Sequence, residues 1–201
     1  DLEYCVDLGL LKRFGNAIEI ANPIYREVIP RQLAAITQKD IETIFQQKAF
    51  IEKDGSLAVS KALKRFQDFF RQNSEHWCKR FEYQEAGAQL LLQAFLQDIV
   101  NGNGRVEREY GLGRMRTDLL IVWPYGEKEQ KVVIELKLRR KSIEKTVSQG
   151  LEQTAAYIER SQAQEGHLIV FEANDSSTPW SKRIFHRTET QDSHQIHVWG
   201  M

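Results

Sequence analysis

Three ionisable residues stand inside runs that otherwise read as apolar strand: Asp118 in TDLLIVW, and Glu135 and Lys137 in KVVIELKL. An uncompensated charge is costly to bury, so their presence there asks for a chemical reason. Strand side chains alternate between faces. Glu135 and Lys137 therefore share one side, while Ile134, Leu136 and Leu138 take the other. Folding 117–123 back on 131–138 about Pro124-Tyr125-Gly126 brings Asp118 opposite or diagonal to Glu135, with the register left open. Two carboxylates about 4 Å apart repel by roughly 4 kcal/mol at an effective dielectric of about 20, and a neighbouring ammonium relieves this only in part. A divalent cation removes the conflict. Mg²⁺ takes one or two carboxylates and fills its other positions with water or phosphate oxygens, which suits two acids and no histidine cluster. Such a site polarises a phosphodiester, with Lys137 holding or deprotonating the attacking water. The plainer alternative is an edge hairpin whose Asp, Glu and Lys are solvated or ion-paired.

The elements that must position these residues are legible in outline. Apolar positions Leu91, Leu92, Phe95 and Ile99 predict a helix over 84–100, stopped by Asn101-Gly102. A strand RVEREY follows, then strands at 117–123 and 131–138, a helix over 142–161 and an apolar strand HLIVFE at 167–172. The order is αβββαβ. One further strand, HQIHVW at 194–199, comes after a loop rich in Asn, Asp, Ser and Thr. The helix over 142–161 carries a polar stripe of Gln149, Gln153 and Tyr157 beside the apolar Ile143, Val147, Leu151 and Ile158. That stripe either faces a substrate or is solvated surface.

Upstream, two short strand-like runs around Gly9 and Gly15 predict a hairpin, and PIYREVIPRQLAAI a helix. Gln38 to Gln47 reads as another short helix, and Asp54-Gly55 as a turn. Ser56 is then placed to cap a connecting helix with Leu57, Leu63, Phe66 and Phe70 on one side. Internal repeats, low-complexity segments and Gly/Ser linkers are absent.

Composition bounds the rest. The 201 residues, 41% of them hydrophobic, suffice for one ordinary domain plus a smaller appendage. Lys plus Arg and Asp plus Glu balance at 28 each, so any polyanion site is local rather than a property of the whole surface. The densest basic neighbourhood surrounds the charged strands: Arg105, Arg108, Arg114 and Arg116 before Asp118, and Arg139, Arg140, Lys141 and Lys145 after Glu135-Leu136-Lys137. Phosphate contact, with Arg114 and Arg116 preferred, competes there with pairing to Glu107, Glu109 and Glu144. Cys5 and Cys78 form no zinc or redox spacing and read as reduced thiols, which fits a cytoplasmic setting. His194 and His197 fall on opposite faces of a strand, against a shared metal ion. His76, His167 and His186 have no evident partner in sequence and read as structural. The apolar runs are too short for a membrane span. Because the chain opens at Asp1 within strand-like sequence, a longer natural N-terminus is expected.

Asp118 followed by Glu135-Leu136-Lys137, on the second and third strands of an αβββαβ order, resembles the PD-(D/E)XK nuclease superfamily. Gln153-Thr154-Ala155-Ala156-Tyr157 resembles the QxxxY motif of several of its branches, and Glu85 the acid sometimes contributed by the first helix. EREYGLGRMRTDLLIVW, VVIELK, GLEQTAAY and GHLIVFE look like the nuclease-type domain that follows an AAA-type ATPase module in certain bacterial proteins. YCVDLGLL and IANPIYREVIPRQL resemble the end of that ATPase module, and FQDFFRQNSEHW the joining segment. Met115 departs from the pattern, at a position where a glycine is expected.

The resemblance implies an α/β, restriction-endonuclease-like core with a mixed sheet flanked by helices. It places a small α+β winged-helix-like remnant at 1–36, a helical connector at 37–79 and the nuclease-like domain at 80–201. It further implies metal ligation by Asp118, Glu135 and the Leu136 carbonyl, water activation by Lys137, assistance from Gln153 and Glu85, and nucleic-acid contact through Arg114, Arg116, Arg139 and Tyr157. The expected cofactor is Mg²⁺ or Mn²⁺. The expected partners are DNA, an N-terminal ATPase module and, as in many enzymes of this fold, a second copy of the chain. No GxxxxGK[ST] loop occurs, so these residues are not expected to bind ATP. The rival expectations are a catalytically inactive module of the same fold that recognises nucleic acid or protein, and nucleic-acid contact through the N-terminal remnant alone.

Overall fold

The computed structural model describes residues 11–14, 17–20, 47–80, 84–112, 115–139, 142–172 and 180–201. The helix expected within 23–36 and most of that expected within 38–47 lie outside them. The upstream hairpin is present: β1 (Leu11–Phe14) pairs antiparallel with β2 (Ala17–Ile20), Phe14 opposite Ala17. A short 3₁₀ turn at Gln47–Phe50 leads to helix α1 (Val59–Arg80), then α2 (Gln84–Val100). Strands β3 (Arg105–Leu112), β4 (Met115–Tyr125) and β5 (Lys128–Arg139) follow, then helix α3 (Ile143–Ser161) and β6 (Glu165–Glu172). A short helix α4 (Trp180–Arg183) precedes the hairpin of β7 (Phe185–Gln191) and β8 (His194–Gly200). Among the described residues no helix is long and apolar enough to cross a membrane.

Strands three to eight form one mixed sheet in the order β3-β4-β5-β6-β8-β7. The pairs β3–β4, β4–β5 and β7–β8 are antiparallel, and β5, β6 and β8 run parallel. The α/β class and the αβββαβ order of the sequence reading are therefore present. Two details differ. β4 continues through Tyr125, and the turn is Gly126-Glu127 with Gly126 in the left-handed region (φ 56°), rather than one centred on Pro124-Tyr125-Gly126. Strand β7 occupies what was read as loop; it closes on β8 through Asp192 and Ser193, both left-handed (φ 49° and 69°), as a two-residue hairpin of primed type requires.

Helices cover both faces. On one, Leu63, Phe66 and Phe70 of α1 and Leu92 and Phe95 of α2 pack with Ile121, Trp123, Ile134, Ile169, Phe171 and Trp199. Helix α1, expected as a connector, thus shares the main core. Its start also differs: the Ser56 hydroxyl donates to Asp54 Oδ1 at 2.6 Å instead of capping, Leu57 bridges Ile51, and the helix begins at Val59. Gln130 pins this entry, donating to the Leu57 carbonyl and accepting from its N–H. Buried Gln67 in α1 donates to both the Phe185 and Gly200 carbonyls at 2.9 Å, tying the helix to the far end of the sheet.

On the other face α3 lies over β5, β6 and β8, its Val147, Leu151, Ala155 and Ile158 packing with Val133, Leu168, Val170, Ile196 and Val198. The expected apolar stripe is the one that docks. Ser142 caps the helix, and Gln162 ends it in the left-handed conformation. Gly150 sets the approach: a Cβ there would sit 2.5 Å from Leu168 Cδ1.

His167 and His186, without an evident partner in sequence, join His197 in a cluster on the face that α1 covers. Trp199 Nε1–H donates to His167 Nδ1 at 3.1 Å, and His167 Nε2 lies 2.8 Å from Glu165 Oε1. Across β8 and β7, His186 Nε2 and Thr188 Oγ1 each lie 3.3 Å from His197 Nδ1, and the His186 ring stacks on Trp199 at 3.8 Å. Burial, then the other imidazoles, push His186 and His197 below the ordinary histidine value of 6.5. The unfolded chain thus takes up protons on acidification before the folded protein does, so stability falls as the pH drops below about 6.5. A thermal melt should show Tm decreasing from pH 6.5 to 5 in wild type and a shallower decrease in the His186→Gln/His197→Gln variant. Equal slopes would show that the pair does not carry the effect.

Candidate metal and catalytic site

The geometry starts from where β4 and β5 part. Their ladder runs from Tyr125↔Lys128 to Leu119↔Ile134. Continuing that register by one residue on each strand sets Asp118 across from Glu135, so both carboxylates project to the face covered by α3. That settles the register left open by the sequence. Beyond this point β5 is held by β6, with Glu135 opposite Leu168 and Lys137 opposite Val170, while β4 stays with β3 through Thr117↔Tyr110. The Leu136 N–H donates to Asp118 Oδ2 at 2.8 Å, so a side chain replaces the next rung. A strand residue turns its N–H and C=O toward the same neighbour, so the Leu136 carbonyl faces the same opening.

Glu135 is 3% exposed, an unusual setting for a carboxylate. Lys137 Nζ donates to its Oε1 at 2.5 Å. Oε2 is buried and has no hydrogen-bond partner among the described residues. Burial first, and the Asp118 charge second, push the Glu135 carboxyl up to about 7, against the opposing pull of Lys137. Among the described residues one oxygen is answered by an ammonium, while the Asp118 backbone N–H gives the carboxylate a weaker pull in the same direction.

A hard dication fits that deficiency. Its donors would be the two facing carboxylates and the Leu136 carbonyl, with remaining positions for water or phosphate oxygen. Among the described residues no group of three or more His, Cys, Asp or Glu side chains is gathered to hold a metal. Two carboxylates and a carbonyl are all oxygen donors, the type that Mg²⁺ and Mn²⁺ take in preference to nitrogen or sulfur.

The other residues singled out from sequence distribute unevenly. Gln153 is half-buried on α3, and Gln149 is exposed. Tyr157 is 3% exposed and packed within the α3 core, the setting of a structural aromatic rather than a stacking platform for a base. Arg139 shares the face of Glu135 and Lys137, its Nη1 2.7 Å from Glu172 Oε2. Arg116 lies in β4 opposite Gly111, and Glu85 in the first turn of α2, with their side chains outside the described set; Arg114 lies outside the described residues. Sequence reasoning missed Glu172, Lys182, Arg183 and Arg187, which surround Arg139. Their separation along the chain left no spacing to read.

No family model, curated protein or solved structure matches this chain.

The buried carboxyl has a signed consequence. Between the ordinary glutamate value of 4.5 and about 7, the folded protein keeps a proton that the unfolded chain has released. Without metal, stability contributed by Glu135 is therefore complete below pH 4.5 and lost as pH rises to 7, by an order of 3 kcal/mol in all. Chemical denaturation in EDTA should show this decline, opposite in sign to the histidine effect. Glu135→Gln should abolish it and exceed wild type in stability at pH 8. A wild-type profile that Glu135→Gln leaves unchanged would contradict the assignment.

Proposed function

We propose that the chain is a Mg²⁺- or Mn²⁺-dependent phosphodiesterase acting on DNA, within an α/β core of restriction-endonuclease type. One observation carries the reading: a buried Glu135 faces Asp118 where two strands separate, with one oxygen on Lys137 and the other without a hydrogen bond among the described residues. A dication held by Asp118, Glu135 and the Leu136 carbonyl would polarise a phosphodiester and stabilise the charge that develops on its oxygens. Asp118 and Glu135 set the position of the scissile phosphate. Lys137, anchored by Glu135 and 26% exposed, orients the attacking water through Nζ. The location agrees with a general rule of open sheets, that ligands gather outside the carboxyl ends of parallel strands; Glu135, Lys137 and Arg139 occupy that end of β5.

The Lys137–Glu135 contact also favours a second reading. An ion pair neutralises half of the conflict without metal, as suits a module that keeps the fold for recognition of nucleic acid or protein. The link to an ATPase module, a cytoplasmic setting and homodimer formation belong to either reading.

Supercoiled, linear duplex and single-stranded DNA incubated with Mn²⁺ separates the two. Cleavage by wild type should fall by about 10²- to 10⁴-fold in Lys137→Ala and to background in Glu135→Ala and Asp118→Asn. Equal cleavage by these variants, or none by wild type, would reject the nuclease reading.

A further inference from the structure

A cavity of about 170 Å³ opens at the carboxyl end of the parallel strands, beyond the first turn of α3. Four cationic side chains line it, Arg139, Lys182, Arg183 and Arg187, with one carboxylate, Glu172, and Phe185. In a chain of zero formal net charge this is a marked local excess. Carboxylates hold two of the arginines in place: Glu172, in the lining itself, lies 2.7 Å from Arg139 Nη1, and Glu189 lies 2.9 Å from Arg187 Nε. The Arg187 guanidinium also lies 5.4 Å over the Phe185 ring. Glu144 stands near enough to Arg139 and Arg187 to be affected by them, but its carboxyl is engaged first by the Ser142 hydroxyl.

The wall bearing these cations is fixed to the sheet. A Cβ at Gly200 would lie 2.1 Å from the Arg183 carbonyl oxygen and 2.3 Å from the Phe185 ring, so only glycine lets the α4–β7 junction lie this close to β8. Gln67 clamps the Phe185 and Gly200 carbonyls from the opposite side. Preorganised guanidinium groups suit the planar, multidentate recognition of phosphate oxygens. Position supplies the substrate. Lys137 and Arg139 are two residues apart on one face of β5, about 7 Å along the strand, so the cavity adjoins the proposed water-activating amine.

We infer that this cavity binds a phosphate group of the DNA strand presented to the Asp118–Glu135 site, as a backbone diester or a terminal monoester. The inference rests on the nuclease reading for its substrate class. Arg139, Arg183 and Arg187 hold the phosphate oxygens, and Lys182 adds an ammonium at the rim.

Fluorescence anisotropy in EDTA, with a short single-stranded oligodeoxynucleotide carrying a 5′-phosphate, a 3′-phosphate or hydroxyl ends, tests it. The Lys182→Ala/Arg187→Ala variant should bind about tenfold or more weakly, with its circular dichroism unchanged. Its slope of log affinity against log salt should be shallower by up to about 0.7, the contribution of one phosphate on a single strand. A wild-type preference for one phosphorylated end that the variant loses identifies a monoester; equal weakening of all three probes identifies a diester. Unchanged affinity and slope in the folded variant overturns the inference, and so does failure of wild type to bind any probe. Parallel cleavage assays with Mn²⁺ keep the two readings apart. Cleavage by wild type with unaltered binding by the variant rejects the cavity alone; cavity-dependent binding without wild-type cleavage rejects the nuclease chemistry alone.

Discussion

The parting of β4 from β5 after Leu119↔Ile134 is the constraint from which the site follows. While the ladder continues, successive backbone groups answer one another and the strands hold their side chains in fixed rows. Where it stops, the Asp118 carboxylate takes over the Leu136 N–H, and Glu135 is left facing it from a buried position. Two acids in one row of a sheet are unfavourable unless something positive joins them. Lys137 reaches one Glu135 oxygen and not the other. The cost of this burial shows in the Glu135 carboxyl, which desolvation and the Asp118 charge push up to about 7.

The scaffold around that point is rigid in the places that matter. β5 lies inside the sheet between β4 and β6, so Glu135 and Lys137 sit on a strand fixed from both sides up to the divergence. Helix α3 covers the same face by a close approach at Gly150, while α1 and α2 fill the other face with Phe66, Phe70, Leu92 and Phe95. The aromatic contacts of Phe66 with Phe95 and of Phe70 with Phe171, at 5.2 and 5.4 Å between centroids, bind α1 into this core. A helix read as a spacer is therefore part of what keeps the carboxylates in position.

Much of this was legible because alternation is a strong signal in strands. Ile134, Leu136 and Leu138 against Glu135 and Lys137 defines two faces without coordinates, and the apolar stripe of α3 named its docking side. Register was not legible, because opposite and diagonal pairings satisfy the same pattern; Leu119↔Ile134 decides it. β7 escaped notice because Arg187, Thr188, Glu189 and Thr190 on an exposed edge have no apolar alternation to report. Tyr157 misled for the converse reason: helical spacing grouped it with Gln149 and Gln153, while its ring is large enough to be drawn into the core. The basic cavity could not be read at all, since Arg139, Lys182 and Arg187 meet only through the crossing order β5-β6-β8-β7.

Crystals grown with Mn²⁺ and measured at a wavelength where manganese scatters anomalously give the most direct test. The account predicts one anomalous peak in the opening between β4 and β5, about 2.0–2.3 Å from carboxylate oxygens of both Asp118 and Glu135. No peak there at saturating Mn²⁺, or carboxylates turned to different sides of the sheet, would contradict it.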